Sequence, residues 1–151
     1  MRTMTKAIYF DMDGTIANLY GVEGWLDDIL TRNVRPYREA NTMVRMNALA
    51  KILNNLQRDG YTLGIVSWLA KGSTEEYDEM VRQAKQDWLN AHLPSVQFDE
   101  IHIVPYGTPK ETVVNFPLGY LFDDEEPNRR NWKGDAFDVD DILGILKEIA
   151  K

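Results

Sequence analysis

The segment Asp11-Met12-Asp13-Gly14-Thr15 sets two carboxylates two residues apart in a glycine-containing turn, and Asp123-Asp124 supplies two more far along the chain. Brought together, such groups repel strongly unless protons or a cation neutralise them. Oxygen-only ligands suit a hard cation, and a site that keeps waters and meets a substrate phosphate suits magnesium rather than calcium. A metal there would screen a carboxylate nucleophile from an anionic phosphate and polarise the phosphoryl oxygen. Aspartate is a nucleophile type that forms an aspartyl-phosphate, which makes Asp11 the candidate. Asp13, beside the leaving group, could protonate the departing alkoxide and then deprotonate the hydrolytic water. Ser67 can offer a hydroxyl to a phosphoryl oxygen, and Lys110 a positive charge that holds Asp11 ionised and stabilises the transferring group. Each fragment also has an ordinary reading. Asp-x-Asp-Gly is often a plain turn, serines end many strands, and Asp123-Asp124 could be a solvated turn. Lys110, near a predicted helix start, opposes the helix dipole, which favours a functional reason.

These residues need elements to position them. Lys6-Ala7-Ile8-Tyr9-Phe10 is an apolar run stopping at the acidic turn, and it reads as a buried strand. Residues 21–33 suggest a short amphipathic helix with Trp25, Leu26, Ile29 and Leu30 on one face, broken over residues 33–39 by Pro36. A stronger helix covers residues 43–58, with Met43, Met46, Leu49, Ala50, Leu53 and Leu56 at helical spacing and Gly60 as its stop. Residues 61–67 are a second strand. Ser73-Thr74-Glu75-Glu76 resembles a capping box opening a helix to about His92. Residues 100–104 form a third strand, 109–114 a short helix with proline in its first turn, and 118–122 a fourth strand. An edge strand over residues 136–139 and a terminal helix begun by Asp138 or Asp140 complete the pattern.

Strands alternating with helices imply a parallel sheet covered on both faces. In such sheets ligands bind outside the carboxyl ends of the strands. Asp11 and Asp13 follow strand one, Ser67 ends strand two, Lys110 follows strand three, and Asp123 and Asp124 follow strand four. All are therefore expected on one rim.

A length of 151 residues suits a single domain spanning residues 1–151. The net charge of -7 disfavours a general nucleic-acid surface, which needs a basic stripe. Small anionic substrates remain compatible, since a few local cations outweigh a global charge. With no cysteine, disulfides and thiolate metal sites are excluded, which fits a reducing cytoplasm. No apolar run approaches the roughly 18 residues of a membrane span, and the first ten residues are too polar for a secretory signal. A cytoplasmic location is the expectation.

Four motifs together resemble those of the haloacid dehalogenase-like superfamily of phosphohydrolases. The strand ending in Asp11-Met12-Asp13-Gly14-Thr15 is similar to its first motif, Ile65-Val66-Ser67 to its second, Lys110 to its third and Leu121-Phe122-Asp123-Asp124 to its fourth. The resemblance implies a three-layer α/β/α Rossmann-like fold with a central parallel sheet and a small helical cap insert at approximately residues 16–42. It implies Asp11 as nucleophile and metal ligand, and Asp13 as acid/base that also offers its backbone carbonyl to Mg²⁺. Asp124 is the implied motif-four ligand, with Asp123 and Asn128 behind it. The amides of Met12 and Trp68 would cradle the phosphate with Ser67 and Lys110. The superfamily's dehalogenases lack the second acid, so Asp13 implies phosphoryl transfer.

The substrate expected is small and phosphorylated. The stretch from Asp11 to Tyr20 and the Asp-Asp form of motif four resemble the 5′-deoxyribonucleotidase branch, which implies a nucleotide. It departs from that branch in carrying Asn18 where an acid is frequent. Within the insert, Tyr20, Trp25, Arg35, Tyr37 and Arg38 could anchor a base or pack the cap on the core. Trp68 has the same two readings. The basic run 128–133 is either a surface turn or a patch for an anionic end. A phosphatase of nucleic-acid 3′ ends and a non-catalytic binding module are the alternatives.

Overall fold

The computed structural model describes residues 6–151; the expectation about a leader rests partly on residues 1–5, outside that range. Five strands make the main sheet: β1 (Ala7–Phe10), β4 (Thr62–Trp68), β5 (Glu100–Val104), β6 (Tyr120–Phe122) and β7 (Ala136–Phe137). Their order is β5-β4-β1-β6-β7, and every pairing is parallel. β1 lies at the centre and is buried along its whole length, which is why it reads as an unbroken apolar run.

Two more strands, β2 (Ala17–Asn18) and β3 (Asn41–Thr42), pair antiparallel and close the base of an insert. The insert holds a 3₁₀ turn (Leu19–Gly21), α1 (Trp25–Leu30) and α2 (Arg35–Glu39). The remaining helices are α3 (Met46–Arg58), α4 (Glu75–His92), α5 (Glu126–Asn131) and α6 (Ile142–Ile149), with a 3₁₀ turn at Lys110–Thr112.

Right-handed crossovers decide which face each helix covers. From β1 through α3 to β4, and through α4 to β5, the chain moves one way across the sheet. It then returns through the Lys110–Thr112 turn to β6 and runs on through α5 to β7, which places these connections on the opposite face. The core divides accordingly. Ile8 and Phe10 of β1 pack with Leu63, Ile65 and Phe122 beneath Leu49, Leu53, Leu56, Trp88 and Leu146 of α3, α4 and α6. On the other face Ala7, Tyr9, Val66 and Leu121 meet Val114 and Trp132. The second layer is thin, because α5 has six residues and the Lys110 turn has three. A third cluster, Leu19, Tyr37, Leu69, Tyr77, Val81 and Ala84, seats the insert on α4.

Several boundaries differ from those expected. α3 begins at Met46 rather than Met43. α4 is capped by Thr74, whose side chain accepts from the Tyr77 amide, so Ser73 stands outside the cap. α6 is capped by Asp141. The segment expected to break at Pro36 is instead α2, with the proline in its first turn, where no amide is needed. Among the described residues no helix is long and apolar enough to cross a membrane.

Candidate active site

The first motif is a turn built on one carbonyl. Met12 O accepts from the amides of Thr15, Ile16 and Ala17, each at 3.0 Å, while the Asp11 amide extends the β1–β6 ladder to Phe122 O at 2.9 Å. The turn passes through Gly14 at φ +79°, and a Cβ there would run into the Asp124 carboxylate and the Tyr20 ring. Glycine is thus required twice, for the left-handed backbone and for the approach of β6's acid. Gly14→Ala is expected to cost about 1–2 kcal/mol for the backbone alone. That corresponds to a melting-temperature fall of about 3 °C or more at this chain length, checked by calorimetry.

Four strand ends converge as expected. Lys110 is buried, its Nζ 3.0 Å from Asp11 Oδ1 and 2.6 Å from Asp123 Oδ2. Burial alone would lower its pKa; the facing carboxylates of Asp11 and Asp123 outweigh that and raise it. The loop before it is tied back by Trp68, whose indole Nε1 donates to Thr108 O at 2.8 Å while its ring lies 5.3 Å from the Lys110 ammonium. The loop after it is held by Tyr9 and Glu100: the hydroxyl donates to Glu100 Oε2 at 2.7 Å and accepts from the Phe116 amide, and Glu100 Oε1 accepts from the Asn115 amide.

Asp123 and Asp124 divide their tasks. Asp123 has no exposed surface, and its carboxylate takes Lys110, the Glu125 amide at 2.9 Å and the Asn128 amide group at 3.2 Å. Asp124 faces the cavity. Thr15 Oγ1 lies 3.3 Å from Asp11 Oδ2 and 3.5 Å from Asp124 Oδ1, bridging the two acids. Carboxylate oxygens of Asp11, Asp123 and Asp124 all lie within 4.8 Å of one another. The electrostatic consequence is plain. Burial, then the charge of Asp11, pushes Asp124 up to about 8. The same two causes push Asp123 to about 6. A site that holds protons this tightly is short of positive charge, and its donors are all hard oxygens, so the residues present fit a magnesium ion.

Trp68 supplies a further amide. Thr62 N donates towards β1 and Leu69 N towards β5. By strand alternation the Trp68 amide faces the β1 side, past the last ladder pair at Phe10 and Ile65. Among the described residues the Met12 amide has no backbone acceptor. Ser67 differs from expectation: it is fully enclosed and does not line the cavity, and its Oγ accepts from Lys85 at 2.7 Å.

Lys85 is the residue missed by motif reading. It sits on α4 with 1% exposure, among Val81, Ala84, Trp88 and Leu89 on the buried stripe. Its Nζ is 2.9 Å from Asp13 Oδ2 and 2.8 Å from Trp68 O. Asp13 is raised above the ordinary carboxylate range first by burial, against the pull of Lys85, with Asp11 adding to the rise. A lysine on an otherwise apolar helix stripe was the available signal.

Above this floor opens a cavity of about 400 Å³ lined by Asp11, Asp13, Lys110, Asp124 and Asn128. Its walls are apolar. The α1 face carrying Trp25, Leu26, Ile29 and Leu30 lines it, with Ile29 also packed on the third core cluster and Tyr20 edge-on to Trp25 at 4.9 Å. Trp68 and Tyr106, 5.0 Å apart, form another part of the wall. The basic run does not reach it, apart from Asn128. Arg129 donates to Asp123 O at 3.0 Å, and Arg130 pairs with Glu126. Arg35 is likewise occupied by Asp28 and Glu39.

No protein-family model matches the sequence, and no curated protein does. A solved structure does resemble it, that of D,D-heptose 1,7-bisphosphate phosphatase from Burkholderia thailandensis, with a TM-score of 0.59 over 96% of this chain and 98% of that one. The two chains share a fold. At 10% identity the likeness extends to the architecture alone, a parallel five-stranded sheet with helices.

Proposed function

We propose that the chain is a Mg²⁺-dependent phosphomonoester hydrolase that works through an aspartyl-phosphate on Asp11 and takes nucleoside monophosphates. The observation that carries this reading is one cavity with Asp11, Asp13, Lys110 and Asp124 at its floor and aromatic side chains in its walls.

Asp11 Oδ attacks phosphorus as the ester P–O bond breaks, and Asp13 gives its proton to the leaving oxygen. Water then attacks the aspartyl-phosphate and passes a proton to Asp13, which releases inorganic phosphate and restores Asp11. Lys110 stabilises charge on the transferring group, and the Met12 and Trp68 amides bind its oxygens. Asp123 and Asn128 hold Lys110 in place; Ser67 acts by seating Lys85. Asp11, Asp124 and the Asp13 carbonyl would hold magnesium, which would neutralise the paired acids and polarise the phosphoryl oxygen. The segment over residues 16–42 serves as the cap.

The walls favour the nucleotide. Besides Lys110, Lys71 is the cation among the lining residues, which is little for a second phosphate of the kind named in the structural neighbour's substrate. Two aromatic pairs and the α1 leucines suit a planar base instead. A phosphate-release panel with Mg²⁺ tests this: deoxynucleoside monophosphates are expected to turn over well ahead of a hexose bisphosphate and a 3′-phosphorylated oligonucleotide. Trp25→Ala is expected to raise KM for the nucleotide about tenfold, the order of one lost stacking contact. Preference for the bisphosphate would overturn the nucleotide assignment.

A further inference from the structure

We infer that Lys85 is a positioning residue that fixes the Asp13 carboxylate for proton transfer; the inference rests on the phosphohydrolase reading above. An ammonium has three donors, and here all three have partners: Asp13 Oδ2 at 2.9 Å, Ser67 Oγ at 2.7 Å and Trp68 O at 2.8 Å. The Tyr37 ring closes over it at 5.3 Å. Lys85 therefore has no donor left for substrate and acts through the groups it holds.

The geometry is costly to build. Taking an ammonium out of water opposes folding, and an aliphatic side chain would continue the stripe of Val81 and Leu89 at no such cost. The ammonium connects two separate strand ends. Ser67 and Trp68 close β4, whereas Asp13 belongs to the turn after β1. No other cation touches Asp13 among the described residues; Lys110 is engaged by Asp11 and Asp123. Lys85 thus gives Asp13 its own anchor, apart from the cation that serves the nucleophile. The proton concerned is the one Asp13 hands to the leaving oxygen as the P–O bond breaks, and takes back from water in the second step.

That role predicts a dependence on the leaving group. A 4-nitrophenolate departs with little need of a proton, whereas phenolate from phenyl phosphate departs with more, and the two esters are nearly the same shape. With Lys85→Met, kcat/KM for phenyl phosphate is expected to fall about ten times further than for 4-nitrophenyl phosphate, a modest part of what a placed general acid contributes. The ratio is independent of the folded fraction, since both esters are read on one preparation. Lys85→Gln, neutral but still a hydrogen-bond donor, serves where Lys85→Met does not fold and is held to the same ratio. An equal fall on both esters would overturn the inference and leave Lys85 a structural residue. Failure of the unaltered protein to hydrolyse either ester is a different result: it removes the phosphohydrolase reading, and this inference with it.

Discussion

Asp11→Asn is expected to end phosphate release, with a loss on the order of 10⁴-fold or more, the scale on which removal of a nucleophile is felt. The amide has the shape of the carboxylate but cannot form the bond to phosphorus. The fold should tolerate it. Asp11 is among the groups that raise both Asp123 and Asp124, second only to burial, so the amide relieves a repulsion. Lys110 keeps Asp123 as a partner at 2.6 Å, and the Asp11 backbone bond to Phe122 does not involve the side chain. A melting temperature within a few degrees of the parent, beside absent turnover, is the expected pair of results. Turnover at the parent rate would place the nucleophile elsewhere. Equal inactivity in parent and variant would favour the binding-module alternative.

The parts of this site that lie at strand ends were legible in the sequence, and the parts that depend on helix faces were not. β1 is a short apolar run stopped by Asp11, and the apolar run of β4 reaches Ser67 one residue before the strand ends at Trp68, so Asp11 and Ser67 could be placed from local pattern. The sheet order is non-local. No local pattern carries it; once it is given, the crossover rule explains why α5 and the Lys110 turn share the thinner face. β2 and β3 have two residues each and carry no period. α5 is polar throughout with Pro127 in its first turn, and it reads as a loop. α2 was hidden by treating Pro36 as a breaker when it occupies a permitted position. Lys85 escaped because a lysine in a helix is ordinarily a solvated one, and only the burial of Val81, Ala84, Trp88 and Leu89 around it shows otherwise. Trp25 shows the reverse case: its helical spacing with Ile29 reads as core packing, yet that face lines the cavity.

Metal-free protein is expected to lose stability as pH rises from about 4 to about 8, and magnesium to restore it most at the upper end. The sign follows from the protons. In the unfolded chain Asp123 and Asp124 titrate near their ordinary 3.8, while folding raises them to about 6 and about 8. Between those values the folded state binds more protons than the unfolded one, so the free energy of unfolding falls with increasing pH. The stabilisation is complete below 3.8 and gone above about 8. Asp13, also raised, acts in the same direction. Lys110 is raised from 10.5, so its contribution is unaffected in this window. Magnesium competes with the same protons, and its binding to the folded state alone adds about 2.7 kcal/mol at a hundredfold excess over Kd. For a chain of this length that is a rise of about 5–10 °C. Differential scanning calorimetry at pH 5 and pH 8, with and without Mg²⁺, measures both effects; EDTA should return the pH 8 curve to its metal-free position. A melting temperature that ignores both pH and Mg²⁺ would mean that the three acids share no cation, and would leave the repulsion at Asp11 to be relieved by the phosphate-binding groups alone. That outcome is hard to reconcile with the arrangement, because Lys110 pairs with Asp11 and Asp123, and among the described residues Asp124 has no cationic partner.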